Sequence, residues 1–256
     1  MNEYQTIKID VDGDGIAVCR FNRPSVHNAL NEEMVDELHT FLRHTAGRDD
    51  VSAVVFTGEG EKAFLAGVDI RELLVRTAAD ALRRINTTLF RAVEQFPLPT
   101  IAAIRGYALG GGLEFSMACD LRVCGEGSKL GQPEVSLGII PAAGATYRLP
   151  RLVGLGRAKE LIFTGRIIDA AEALATGLVN RVVPDGQVLD AALELARTIT
   201  GNGRLAVRLA KVSLDSAADT GVDAAMALES ASQAVLFDDD EKKKRMTEFL
   251  EKNKKR

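Results

Sequence analysis

Histidine is scarce in this 256-residue chain: there are three, and His27, His39 and His44 all fall in its first fifth. A Ser–His–Asp hydrolase whose histidine follows the nucleophile is therefore disfavoured, and no HExxH motif is present to hold zinc. His39 and His44 fall on a predicted helix and read as surface residues. Cysteine is scarce too. Cys19, Cys119 and Cys124 are odd in number, lack metal-ligand spacing and sit mostly in apolar surroundings. They read as reduced core residues of an intracellular protein, and no metal site is expected. Phosphate signatures are missing as well: there is no GxxxxGK[ST], and Gly125-x-Gly127 lacks the third glycine and the helix of a dinucleotide fingerprint. Asp10 to Gly15 imitates the start of a calcium loop, but its twelfth position is Phe21, where a bidentate glutamate is needed. No apolar run is long enough to span a bilayer, and MNEYQTIKID has neither the basic nor the apolar region of a signal peptide. A cytoplasmic protein with no membrane partner is expected. The net charge of −4 argues against nucleic-acid binding as the main role.

What remains is an ordinary globular composition, 46% hydrophobic and 27% charged, on a chain long enough to bury a sizeable core. Ile7, Ile9 and Val11 alternate with polar residues, Asp12-Gly13 and Asp14-Gly15 supply turn chemistry, and Ile16 to Phe21 returns, which predicts a hairpin. Asn31 reads as the N-cap of a helix with Met34, Leu38, Phe41 and Leu42 on its apolar face. A buried strand is expected at Val51 to Phe56, a helix over 78–96, and a strand at Thr100 to Ile104. Beyond Pro150 the spacing predicts helices at 156–164, 169–175, 187–200, 204–217, 221–236 and about 240–252.

Two segments offer chemistry. Phe64 to Ile70 follows one strand, and Gly106 to Glu114, with three consecutive glycines at 110–112, follows another. Glycines let backbone N–H groups approach a ligand closely, and the segment from Gly112 to Cys119 can put a helix N-terminus behind them. If the two loops converge they form an oxyanion hole, suited to a thioester whose α-carbon is acidic enough for enolate chemistry. Glu134 stands twenty residues beyond Glu114, flanked by Pro133, Val135, Leu137, Ile139 and Ile140, so its surroundings are expected to be dry. Two carboxylates at one pocket do not both ionise freely; one holds a proton while the other stays a base.

With these residues in hand, the chain resembles the crotonase (enoyl-CoA hydratase/isomerase) superfamily. The matching segments are NRPSVHNALN at 22–31, GEGEKAFLAGVDI at 58–70, AAIRGYALGGGLEFSMACDLRV at 102–123 and GQPEVSLGIIPAAGATYRLPRLVG at 131–154, with GLVNRVVP at 177–184 and EKKKRMTEFLEK at 241–252. The resemblance implies an α/β fold: a spiral of ββα units over 1–195, then a helical region, 196–256, that mediates trimers, commonly stacked as a hexamer. By motif position it implies oxyanion-hole N–H groups from Val68 and Gly111, and catalytic acids Glu114 and Glu134. The backbone of Ala66, Val68, Asp69, Ile70 and Arg71 would border coenzyme A, with Ala29 along the same ligand and His27 where relatives often carry a lysine. No separate cofactor is implied, because coenzyme A enters as the thioester of the substrate.

The implied reaction is hydration of a trans-2-enoyl-CoA to a 3-hydroxyacyl-CoA in fatty-acid β-oxidation, with Glu114 as base toward water and Glu134 as acid toward C2. Isomerases of the superfamily usually keep only the later acid; here both are kept. The alternatives are a Δ3-Δ2 enoyl-CoA isomerase and, in another class, a non-catalytic CoA- or RNA-binding member supported only by basic residues at 242–245 and 252–256. Three departures stand near the second acid: Ala142 and Ala145 replace glycines common in the family, and Tyr147 replaces a glutamine. Val68 stands where alanine is frequent, and Arg256 ends a tail without the aromatic residue many relatives carry.

Overall fold

The hairpin is held at its turn by an aspartate. In the computed structural model, which describes residues 4–254, β1 (Ile7–Val11) and β2 (Ile16–Phe21) pair antiparallel. The Asp12 carboxylate accepts from the Asp14 and Ile16 N–H groups, and Asp12 and Asp14 pair with Arg197. The acidic run that imitates a calcium loop is thus a capped turn with a guanidinium partner. Residues 1–3 of the N-terminal segment and residues 255–256 of the basic tail lie outside the described residues.

The Asn31 side chain accepts from the Met34 N–H at 3.1 Å and caps α1 (Glu32–Ala46), whose Met34, Leu38, Phe41 and Leu42 are buried as expected. His44 is exposed, but His39 is half-buried. It follows Val35 by four residues and precedes Leu42 by three, so the helical period sets it against the buried stripe. Burial, with the nearby Arg43 charge, holds its pKa below the usual histidine value.

The chain then repeats one move. β3 (Ala53–Gly58) is followed by β4 (Ala63–Leu65) and the helices α2 (Ile70–Val75), α3 (Ala78–Leu82) and α4 (Ile85–Glu94). Next come β5 (Thr100–Ile104), β6 (Tyr107–Leu109) and α5 (Gly111–Ala118). Then follow β7 (Leu121–Gly125), β8 (Lys129–Gly131), a short 3-10 turn at Pro133–Leu137, α6 (Ala145–Val153) and α7 (Leu155–Thr164). The unit closes with β9 (Ile167–Asp169), α8 (Ala170–Ala175), β10 (Arg181–Val183) and α9 (Val188–Thr200). β3, β5 and β7, the first strands of their pairs, join a six-stranded sheet, ordered β1-β2-β3-β5-β7-β10, and β4, β6 and β8 join a four-stranded sheet, ordered β4-β6-β8-β9; the last pair is reversed, β9 in the smaller sheet and β10 in the larger. Two strands in two sheets, then helix, repeated along the chain, is the spiral of ββα units. Strand β3 runs two residues later than expected because Ala53 to Gly58 is the stretch that registers with Ile16 to Phe21. The single helix expected over 78–96 is broken at Arg83-Arg84, where Arg84 takes a left-handed φ of 55°. The Thr77–Asp80 capping box independently starts the short first piece.

Phenylalanine supplies the centre of the core. Phe115 of α5 meets Phe21, Phe56 and Phe90 edge-on, with centroids 5.1, 5.0 and 5.5 Å apart. That packing fixes the rotation of α5, whose eight residues are all buried. At its far end the buried Arg122 guanidinium donates to the Ser116 and Cys119 carbonyls and to that of Leu178, occupying acceptors the helix leaves open. Cys19, Cys119 and Cys124 are buried free thiols. The chain divides into two compact units, residues 1–197 and 198–256. The second holds α10 (Arg204–Ala217), α11 (Val222–Asp238) and α12 (Asp240–Lys254), with α10 packed on α11 and α11 on α12. No helix among the described residues is long and apolar enough to cross a membrane.

Gly112 sets how close α5 comes to the second sheet. A Cβ there would stand 1.7 Å from the Leu65 carbonyl oxygen. Gly112→Ala is expected to cost on the order of 3 kcal/mol in chemical denaturation, since neither the strand end nor the helix can retreat without disturbing packing. A midpoint equal to that of wild type would contradict this packing.

Candidate active site

The two loops singled out in the sequence do converge. Residues 27–30 and 66–69 run side by side: Ala66 N–H donates to the His27 carbonyl, Leu30 N–H to that of Gly67, and Asp69 N–H to that of Leu30. In this isolated parallel bridge Leu30 uses both of its backbone groups, so those of Val68 face the other way. On that other side lies α5. The Val68 nitrogen is 3.7 Å from the position a Gly111 Cβ would take. Gly111 is the first residue of α5, so its N–H is one of those a helix leaves without an intrahelical partner.

The rest of the first loop is scaffold. Asn28, with a left-handed φ of 58°, donates to the Glu59 and Ala63 carbonyls and accepts from Arg23 N–H. The Arg23 guanidinium donates to the Ala29 carbonyl and pairs with Asp69 at 3.2 Å. Asp69 also caps α2 by accepting from Arg71 N–H. The Asp69 side chain and the Ala29 carbonyl are therefore engaged in holding the loop. His27, Ile70 and Arg71 stand exposed at its rim, and Ala66 and Val68 are half-buried.

Glu114 lies one turn into α5 and is only 3% exposed. Its Oε1 accepts from the N–H groups of Ala143 and Ala145 at 2.8 and 3.0 Å, and the Gly144 N–H also favours its charged form. Successive peptide N–H groups turned to one side make a small anion-holding concavity, here shaped by Gly144 at a φ of 131°. Burial still prevails: the Glu114 pKa is raised, with the Ala145 and Ala143 N–H groups, the Arg148 charge and the Gly144 N–H working against that rise. Ala145, one of the two substituted glycines, is fully buried in the first turn of α6 and uses its N–H in this role; Ala142 is exposed. Tyr147 is 40% exposed, with the Arg148 guanidinium 4.9 Å from its ring centre.

Glu134 sits in the 3-10 turn after β8, and its carboxyl lies over Gly110. A Cβ on Gly110 would be 2.8 Å from Glu134 Oε1, at a residue whose φ is already 51°. Its environment is less dry than its neighbours in sequence imply. Glu134 is half-buried, whereas Leu137, Ile139 and Ile140 are 57, 43 and 65% exposed, because the turn directs them outward. Burial pushes its pKa up to about 7, a backbone N–H opposes the rise, and the Glu114 charge adds to it. The Glu134 carboxyl thus lies over Gly110, Glu114 follows that turn in α5, and the Glu114 charge reaches Glu134.

Three residues that sequence reasoning missed complete the site. The fully buried Gln132 side-chain amide lies 3.0 Å from both Glu134 oxygens, and the orientation that satisfies it turns its nitrogen toward them. Arg148, 4% exposed, forms a two-pronged pair with Glu94 of α4 at 3.0 and 2.9 Å and donates to the Ala143 carbonyl at 3.1 Å. The available signals were a glutamine two residues before the acid and an arginine inside the segment that carries the glycine-to-alanine departures. Among the described residues no three His, Cys, Asp or Glu side chains are grouped to hold a metal.

Because the native pKa of Glu134 exceeds its unfolded value of 4.5, the folded state binds the proton more tightly. The stability this contributes is present at low pH and is lost as pH rises from about 4.5 to about 7. Glu134→Gln removes the ionised form's burden. Its thermal midpoint is expected to exceed that of wild type by more at pH 8.5 than at pH 5; an equal difference at both would show an ordinary carboxyl.

The family model for enoyl-CoA hydratase/isomerase matches residues 12–256. The short-chain-enoyl-CoA hydratase of Clostridium acetobutylicum is 40% identical over 254 residues, covering 98% of this chain and 97% of that protein. The crotonyl-CoA hydratase of Syntrophomonas wolfei is 41% identical over 255 residues, covering 98% and 97%. The crystal structure of an enoyl-CoA hydratase from Bacillus anthracis superposes with a TM-score of 0.94 at 39% identity, covering 97% of each chain. Over nearly its whole length, in sequence and in fold, this chain belongs to the enoyl-CoA hydratase/isomerase family.

Proposed function

We propose that this protein hydrates trans-2-enoyl-CoA thioesters to 3-hydroxyacyl-CoA. The observation that carries the reading is that the Glu134 carboxyl lies over Gly110, beside the approach of Val68 to Gly111, while Glu114 of the same helix start carries a charge that Glu134 senses, and both carboxyl pKa values are raised. The relatives named as hydratases support the reaction class.

In this reading the thioester oxygen accepts hydrogen bonds from the Val68 and Gly111 N–H groups, near the positive end of α5. As negative charge gathers on that oxygen these bonds strengthen, which drains electrons from the double bond and makes C3 electrophilic. The two glutamates hold a water between them. Glu114 takes a proton as the water oxygen bonds to C3, and the double-bond electrons move onto the thioester as an enolate. Glu134, protonated near neutral pH, delivers its proton to C2 as the carbonyl re-forms. Water's oxygen ends on C3, one hydrogen ends on C2, and a proton passes from Glu114 back to Glu134 to reset the pair. Coenzyme A arrives as the thioester and leaves with the product, along the 27–30 and 66–71 segments. Exposed Leu214, Met226, Val235 and Phe237 on α10 and α11 favour a homotrimer or a stacked hexamer that covers them.

Purified protein is expected to consume crotonyl-CoA with loss of the conjugated enoyl-thioester absorbance. Glu114→Ala and Glu134→Gln should each lower kcat roughly 10²–10⁴-fold, the range expected for general acid–base groups, with CoA binding retained. Migration of a 3-enoyl double bond without addition of water would establish the isomerase instead. Retention of RNA with no thioester turnover would establish a binding protein.

A further inference from the structure

We propose that Arg148 is a positioning residue that decides which glutamate of the pair acts as the base, by clamping the 142–145 turn between Glu94 and Glu114. The inference rests on the hydratase reading and deepens it. Two neighbouring carboxyls need something to distinguish them, and their settings differ: the 142–145 turn donates to Glu114, whereas Glu134 lies over Gly110. Ala143 is the link: its N–H donates to Glu114 Oε1 at 2.8 Å while its carbonyl accepts from Arg148 at 3.1 Å. The same guanidinium is anchored at its other edge by both oxygens of Glu94. With its nitrogens spread over three acceptors and its side chain 4% exposed, Arg148 has no alternative position to take.

Space reinforces the clamp. A Cβ on Gly144 would lie 1.9 Å from an Arg148 guanidinium nitrogen and 3.1 Å from the Tyr147 hydroxyl, so both side chains press on the outer face of the turn. Glu114 thus receives the inner face of a turn whose outer face is cationic.

Of the elements packed on α5, β4 carries no ionisable side chain and α4, α6, β6 and β7 do. Arg148 and Tyr147 come from α6, and Glu94 and Arg91, themselves paired at 2.5 Å, from α4. Glu134 approaches across Gly110, and Tyr107 of β6 is exposed. Arg122 of β7 is committed to carbonyls at the opposite end of the helix. The Arg148 charge acts on Glu114 and lowers its pKa against the effect of burial, whereas Glu134 is raised by burial with no cation to offset it. The cation and the 142–145 N–H groups thus favour the ionised form at Glu114, on the side of the pair that the clamp holds. Despite partial burial, pairing with Arg148 and Arg91 holds Glu94 below the usual carboxylate range, so it stays a counter-ion.

The test is the pH dependence of kcat for crotonyl-CoA hydration in wild type, Arg148→Gln, Arg148→Lys and Glu94→Gln. Loss of the cation in Arg148→Gln should move the acidic limb to higher pH, with kcat reduced roughly tenfold more at pH 6 than at pH 9. Glu94→Gln leaves the cation uncompensated and should move the limb the other way, to lower pH. Arg148→Lys should restore the limb's position but not the plateau, because an ammonium lacks the planar fork that meets both Glu94 oxygens and the Ala143 carbonyl. Opposite displacements are a signature that loosened packing does not produce, and Glu94→Gln supplies one of them even if Arg148→Gln fails to fold. Limbs that superimpose on wild type, or that move in the same direction, overturn the proposal. If wild type adds no water to any enoyl-CoA, the hydratase reading fails. The clamp is then judged by infrared titration of the Glu114 carboxyl in the resting protein, where an unmoved Arg148→Gln titration overturns it.

Discussion

Glu114 is an acid on a helix with no face to solvent, and its burial governs how the segments around it are arranged. An isolated carboxylate buried this way would simply take up a proton. Here three peptide N–H groups and a guanidinium lower that penalty without abolishing it, so the proton affinity of the group still exceeds that of an exposed glutamate. The helix cannot turn away from this arrangement. Phe115, the next residue, is locked among Phe21, Phe56 and Phe90, and Gly112 is pressed onto the Leu65 carbonyl. Core packing and acid placement are therefore one constraint, imposed by adjacent residues of the same helix.

The same close approach creates the second half of the site. Bringing α5 against the end of β4 sets the Gly111 backbone beside that of Val68, and the left-handed turn at Gly110 leaves room for the Glu134 carboxyl. The three glycines at 110–112 thus serve three separate needs: space for an acid, an open N–H and contact with a strand. A polar cradle and a pair of unequal acids arise together where the spiral brings consecutive ββα units into register.

Much of this was legible in the sequence because it depends on local rules. The hairpin followed from alternation and turn residues, α1 from its Asn31 cap and apolar stripe, and the C-terminal helices from their period. The family motifs singled out Val68, Gly111, Glu114 and Glu134, and the structure brings these four positions near one another. What stayed hidden depends on where side chains point. The helix over 78–96 breaks at Arg84, where no glycine or proline warns of a left-handed residue. Leu137, Ile139 and Ile140 look like a dry wall around Glu134 but face outward, because a 3-10 turn and the stretch beyond it follow neither a strand's nor a helix's alternation. Arg148 reads as an unremarkable helix cation until Glu94, 54 positions earlier, is seen to meet it. Ala145 departs from the family's glycine, yet its N–H donates to Glu114 all the same.

The central claim is that a single proton is shared unequally by two acids at one glycine turn. It is tested most directly by following the side-chain carboxyl carbons of ¹³C-labelled glutamate through a pH titration of wild type and Glu134→Gln. One carboxyl titrating close to pH 7, absent from the Glu134→Gln spectrum, is the result this account requires. If every glutamate in wild type titrates in the ordinary carboxylate range, the two acids are independent and the account is wrong.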